Sequence, residues 1–215
     1  MTKKMSHGLL TLVVSMSIAA AGPSRAESLD DSLLNIETRW ADAAYRTTGR
    51  EQRKVLKSLL SDVRGLHSSH PDRAEAAAWH GIVARTYADH NGSMRLAREA
   101  RDALLVAESI DPLTLDGLVY ANLGALYFKF SSSLGGFGDK TRGIGYLWKA
   151  IVVDPEGIDS NYLYARVLLD EKDYGAARDA LIKAKAAPAR PNHPKADFAR
   201  KLEVENLLAS VESRL

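Results

Sequence analysis

Cysteine is absent from all 215 residues, which removes disulfides, thiolate nucleophiles, thiolate metal sites and lipid attachment through a cysteine following a leader. No Gly-x-Ser-x-Gly and no His-Glu-x-x-His occurs, so neither an activated serine elbow nor a zinc-protease helix is encoded. Strand signals are missing as well, and the 7 prolines fall almost wholly at the borders of long Ala/Leu/Arg/Glu stretches, the punctuation of an all-helical chain. Charge of one sign is also missing: 29 Lys and Arg stand against 27 Asp and Glu.

What is present begins with an address. Lys3 and Lys4 precede an apolar run over residues 9–21, followed by Gly22-Pro23 and the small-x-small triplet Ser24-Arg25-Ala26. A run of about 13 residues is too short to cross a bilayer core of about 30 Å and has the length of a signal-peptide core. The expectation is a cleavable export leader over residues 1–26, cut near Ala26, and a periplasmic chain with no stable membrane insertion. Without Lys3, Lys4 and Arg25, the 29 basic residues fall to 26 against 27 acidic ones. The basic excess thus belongs to the leader, and no nucleic-acid surface is expected.

The remaining residues, 27–215, suffice for one domain. Within them Ala78, Gly81, Gly92, Leu104, Ala107, Asp111 and Pro112 return 43 positions later as Ala121, Gly124, Gly135, Leu147, Ala150, Asp154 and Pro155. A unit of that length with helical periodicity and a terminal Asp-Pro is a helix-turn-helix pair, repeated by stacking. The pattern predicts pairs at about 29–70, 72–110, 115–153 and 159–186, joints at Pro71, Pro112, Pro155 and Pro188, a linker over 187–194 and a capping helix over 195–213. Phe198, Leu202, Leu207, Leu208 and Val211 are expected to form the buried stripe of that last helix.

Ala165, Asp173-Tyr174, Ala177, Leu181 and Ala184, together with Leu123-Gly124, Tyr127, Leu147, Ala150 and Asp154-Pro155, resemble the tetratricopeptide repeat over roughly residues 72–190. The chain is similar to proteobacterial periplasmic tetratricopeptide-like proteins and, more loosely, to the T-component proteins of tripartite (TRAP-type) transporters. The resemblance implies an all-α solenoid, a non-catalytic adaptor or scaffold, and a protein or peptide partner. The T-component likeness implies the alternative of a solute-binding helper. Carrying over the groove positions of first helices places Trp79, Ile82 and Arg85, then Asn122, Ala125 and Lys129, then Tyr162, Arg166 and Leu169 on the inner face. A groove of that composition suits a peptide or a small anionic ligand; its aromatic members are equally placed to be inter-helix core.

Two pairs depart from the family spacing. Ala165 to Ala177 is 12 residues, whereas Gly81 to Ala100 and Gly124 to Gly143 are each 19. The extra residues are expected as edge turns at 88–95, with His90, and at 131–139, with Leu134 and Phe137. Such turns form either a lip over a ligand or a plug between helices. Gly138-Asp139-Lys140-Thr141 departs from a phosphate loop, which needs Gly-Lys-Ser/Thr after a strand. His67, His70, His80 and His90 leave metal or cofactor handling as a further alternative, but their spacing does not favour a site, and neither a cofactor nor a resident metal is expected.

Overall fold

The computed structural model describes residues 28–130, 135–190 and 193–215, and the expected leader and Leu134 lie outside them. The described residues form helices only: α1 (Leu29–Tyr45), α2 (Gly49–Ser69), α3 (Ala74–Asn91), α4 (Met94–Ile110), α5 (Leu118–Lys129), α6 (Lys140–Val153), α7 (Ile158–Asp170), α8 (Tyr174–Ala186) and α9 (Pro194–Glu212). The fold is an all-α, tetratricopeptide-like solenoid. Pro71, Pro112, Pro155 and Pro188 all fall in the breaks, where a missing N–H and a fixed φ end one helix and admit the next. No helix among the described residues is long and apolar enough to cross a membrane.

Four helix starts are built locally. Ser28, Ser93, Asp139 and Asp173 each accept a backbone N–H of the first turn of the helix they precede, satisfying donors that the helix itself cannot. The 43-residue register is a packing rule as well as a sequence rule. A Cβ on Gly81 would sit 2.5 Å from Leu104 Cγ, and one on Gly124 would sit 2.6 Å from Leu147 Cγ. Only a glycine lets the first helix of each pair close onto the leucine of the second.

Four details differ from the sequence expectation. The spacer of the second pair is helix rather than turn: α3 continues through His90 to Asn91, reverses at Gly92 (φ 69°), and α4 starts at Met94. Ala88, Asp89 and His90 are compatible with another helical turn, and the left-handed glycine then stops it. In the third pair, α5 starts late because Leu115, Asp116 and Gly117 all take left-handed φ values of 55°, 50° and 81°. His80 stands 43 positions before Leu123 and is expected at the same packing position, yet Leu123 is fully buried whereas His80 is half-buried and bonded to Glu99.

The fourth detail sets the shape. α9 packs on α8 and α7 and also reaches α1, joining the two ends of the solenoid. Its buried side is Ala196, Asp197, Arg200, Val204, Leu208 and Val211, while Phe198 is 70% and Leu202 52% exposed. The expected apolar stripe is therefore rotated. A stripe rule assumes an apolar neighbour, whereas α9 meets buried carboxylate and phenol groups on α7 and α1.

Candidate functional site: a tryptophan-walled chamber closed by buried ion pairs

Closure by α9 rests on charge. Asp159, at the start of α7, accepts from Arg200 Nε at 2.8 Å and from Arg190 at 3.0 Å, and Arg190 also donates to Asp197 at 2.8 Å. Burial pushes the Asp159 carboxyl up, but Arg200 and Arg190 outweigh it and hold the group below the ordinary aspartate value. The Arg200 guanidinium lies 4.3 Å from the Tyr162 ring centre and 5.2 Å from that of Tyr45, so one side chain ties α9 to both α7 and α1. Burial pushes the Tyr45 phenol upward despite that cation. His193 bonds Glu37, and Lys195 reaches Asp42 at 3.2 Å, fastening the start of α9 to α1.

Between these fastenings lies a cavity of about 330 Å³. Its walls are Trp40 from α1, Trp79 from α3, the left-handed turn at Leu115 and Asp116, the turn from Val153 to Ser160, and Arg190, His193 and Ala196 at the entry to α9. Trp40 and Trp79 meet edge to face at 5.6 Å, and Trp40 Nε1 donates to Thr86 at 2.8 Å, so both indoles are fixed. The Asp154 carboxylate curls against Gly157, where a Cβ would approach its oxygen to 2.0 Å. Asp154 is shifted up from the ordinary aspartate value by burial first and then by Asp116, with Asp159 and Glu156 adding to it against the pull of Arg190. Burial also lowers His193, favouring its neutral form.

The residues placed on an inner groove by sequence are distributed otherwise. Trp79 lines the chamber; Ile82 and Asn122 are buried, and Tyr162 is buried beneath Arg200. Ala125 and Leu169 are half-buried. Arg85 donates to Asn122 at 2.6 Å and to Asp89 at 2.9 Å, and Lys129 donates to the same Asp89 at 2.6 Å. Two of the three expected groove cations thus share one carboxylate. Arg166 is exposed beside Tyr162, its guanidinium 6.0 Å from the ring centre. Of the edge residues, His90 occupies the last turn of α3, with a buried Nε2 that has no hydrogen-bond partner among the described residues. Phe137 folds back onto the helices, 5.8 Å from Tyr127, 5.7 Å from Phe130 and under Arg101 at 4.6 Å.

Two of the four candidate histidines, His67 and His80, join a hydrogen-bonded chain, and His70 instead meets Leu66 O at 3.2 Å. Arg64 holds Glu99 through two bonds of 2.6 and 2.7 Å, Glu99 meets His80 Nε2 at 2.9 Å, and the Nδ1 atoms of His80 and His67 lie 3.0 Å apart. Hydrogen bonding from Arg64, opposed by burial and aided by His80, holds Glu99 down to about 2. No group of three His, Cys, Asp or Glu able to hold a metal ion occurs among the described residues.

Trp40, Asp154, Asp159, Ser160, Arg190 and Arg200 were not marked as site residues by sequence. A signal existed for Arg200: it interrupts the stripe of Ala196, Val204, Leu208 and Val211 at helical spacing, and a charge on a core stripe calls for a buried partner. Trp40 shows only the period of a core residue, and nothing local connects Asp116 with Asp154.

No protein-family model matches the sequence, and no curated protein matches it. A solved structure of Pseudomonas aeruginosa PilF is similar to it at 17% identity, with a TM-score of 0.35, over 87% of this chain and 91% of that one.

Proposed function

We propose that this chain is an exported, non-catalytic binding protein of the periplasm, cleaved near Ala26, that engages a protein or peptide partner at the mouth of the tryptophan-walled chamber. The observation that carries the reading is the chamber itself. Two fixed indoles and several carboxylates face a space of about 330 Å³, the size range in which proteins hold one side chain or one small ligand. Its groups can hold and orient; they include no hydroxyl or thiol paired with a base, which acyl or phosphoryl transfer would need. Buried ion pairs around the entry to α9 favour a preformed receptor, so binding costs little ordering.

Site-specific photocrosslinking tests this. A photoreactive residue at exposed position 188, on the chamber lining, is expected to give a discrete adduct with another protein in cells exporting the chain, and the same residue at exposed position 57 on α2 is expected to give none. Only self-adducts at position 188, or recovery of the chain in the cytoplasm with its leader intact, would overturn the reading.

A further inference from the structure

We infer that the chamber receives an organic cation, a primary ammonium or guanidinium group carried on a partner's side chain. The inference rests on the chamber being the binding site and goes further by fixing the chemistry of what enters it. Asp116, Asp154 and Glu156 all line the cavity, and none has a cationic partner within ion-pair distance among the described residues. The cations nearby are already committed: Arg190 to Asp159 and Asp197, Arg200 to Asp159 and Glu203. An entering anion would find no free positive group and would be repelled by the unpaired carboxylates, whereas an entering cation removes that repulsion.

A second, independent feature points the same way. Ser160 lines the cavity at 2% exposure, and its hydroxyl has no hydrogen-bond partner among the described residues. Its oxygen opens on the cavity rather than being sealed in the interior, and an ammonium or guanidinium N–H can donate to it there. Trp40 and Trp79 supply the third element, since indole faces attract cations and cover the methylene stem behind the charge. A bare divalent ion fits worse. No three carboxylates converge closely enough to hold a metal among the described residues, and indole walls offer a hard cation no oxygen.

The test is calorimetric titration of the exported, purified protein with the blocked tripeptide acetyl-Gly-Arg-Gly-amide. Its controls are the citrulline analogue, which has nearly the same shape without the charge, the glutamate analogue, and calcium chloride. Saturable binding of the arginine peptide in the millimolar range or tighter is expected, at least tenfold weaker binding of the citrulline peptide, and none of the glutamate peptide. The double variant Asp116→Asn/Glu156→Gln, both at exposed positions, is expected to bind at least tenfold more weakly with an unchanged melting temperature. Asp154→Asn, which keeps the side-chain shape against Gly157, is expected to act in the same direction. Equal affinity for arginine and citrulline peptides, preference for glutamate, binding of calcium alone, no saturation by any peptide, or full affinity in the double variant would each overturn the inference. If a protein adduct forms at position 188 while the arginine peptide fails, the cation assignment falls and the binding reading stands. If the peptide binds but no adduct forms, the reverse holds.

Discussion

The two ends of the solenoid are joined by a different chemistry from the one that holds its middle together. In the middle pairs the repeated contact is glycine against leucine, Gly81 on Leu104 and Gly124 on Leu147, at the same spacing. At the closure α9 meets α7 and α1 through Asp159, Arg190, Asp197 and Arg200, with tyrosine rings beneath the guanidinium. Close apolar packing can be repeated indefinitely because each unit presents the same face to the next. A closure happens once, between non-equivalent surfaces, and a buried ion pair gives it a single register because a mismatched partner leaves a bare charge in the interior.

The largest effect should come from breaking the closure. Asp159→Ala leaves two guanidinium groups short of a partner and is expected to cost about 3 to 5 kcal/mol, read as a lowered denaturation midpoint. If α9 is a removable cap, limited proteolysis of this variant will cut first near the start of α9 while α3 to α6 stay protected. Simultaneous cleavage throughout would instead make the closure part of one cooperative unit.

Phe137→Ala comes next. Its ring is half-buried on Tyr127 and Phe130, so the loss should be about 2 to 3 kcal/mol, below that of a fully buried ring. Partner binding per folded molecule should not change; a loss of affinity without a loss of stability would restore the lip reading of that loop.

Gly124→Ala and Gly81→Ala sharpen the comparison in the middle. The added methyl drives into the leucine of the facing helix, and about 1 to 3 kcal/mol is expected for each. Combining either with Leu147→Ala or Leu104→Ala, its own partner, should give less than the sum of the single losses, whereas exchanged partners should be closer to additive. Additivity within a pair would show that the repeated spacing is not a repeated contact.

The smallest effect is acidic and lies between α2, α3 and α4. Glu99 is held at about 2 against an ordinary 4.5. A depressed carboxyl adds stability that is complete above its unfolded value and is lost as pH falls through its folded one, so the loss should run from about pH 5 toward 2. Burial and the neighbouring His80 lower His67 too, so its contribution is complete above the ordinary histidine value of about 6.5 and fades as pH drops below it. Denaturation midpoints followed from pH 7.5 downward should decline in two stages, the first absent in His67→Gln and the second in Glu99→Gln. Because Arg64 and Arg95, which also face Glu99, are substantially exposed, added salt should shrink the second stage.

Equal spacing did not produce equal structure even within the repeat. Gly81 to Ala100 and Gly124 to Gly143 are both 19 residues, yet the first span is used to lengthen two helices around Gly92 and the second contains the segment that returns Phe137 to the helices. Residues 88–91 can continue a helix, while Gly135, Gly136 and Gly138 oppose one at an entropic cost. That contrast was present in the composition. The direction in which Phe137 would turn was not, because it depends on Tyr127, Phe130 and Arg101 arriving from two other helices.

The sequence by itself determined the helices, their pairing and the proline joints, since each rests on contacts between residues close along the chain or repeated at a fixed period. Tertiary structure alone decided that α9 would return to α1, that Lys129 would reach Asp89, and that Trp40 and Trp79 would face Asp116 and Asp154. Those relations join residues about 40 to more than 150 positions apart. A charge records that it needs a partner, but nothing in its neighbours records where that partner stands until the helices are packed.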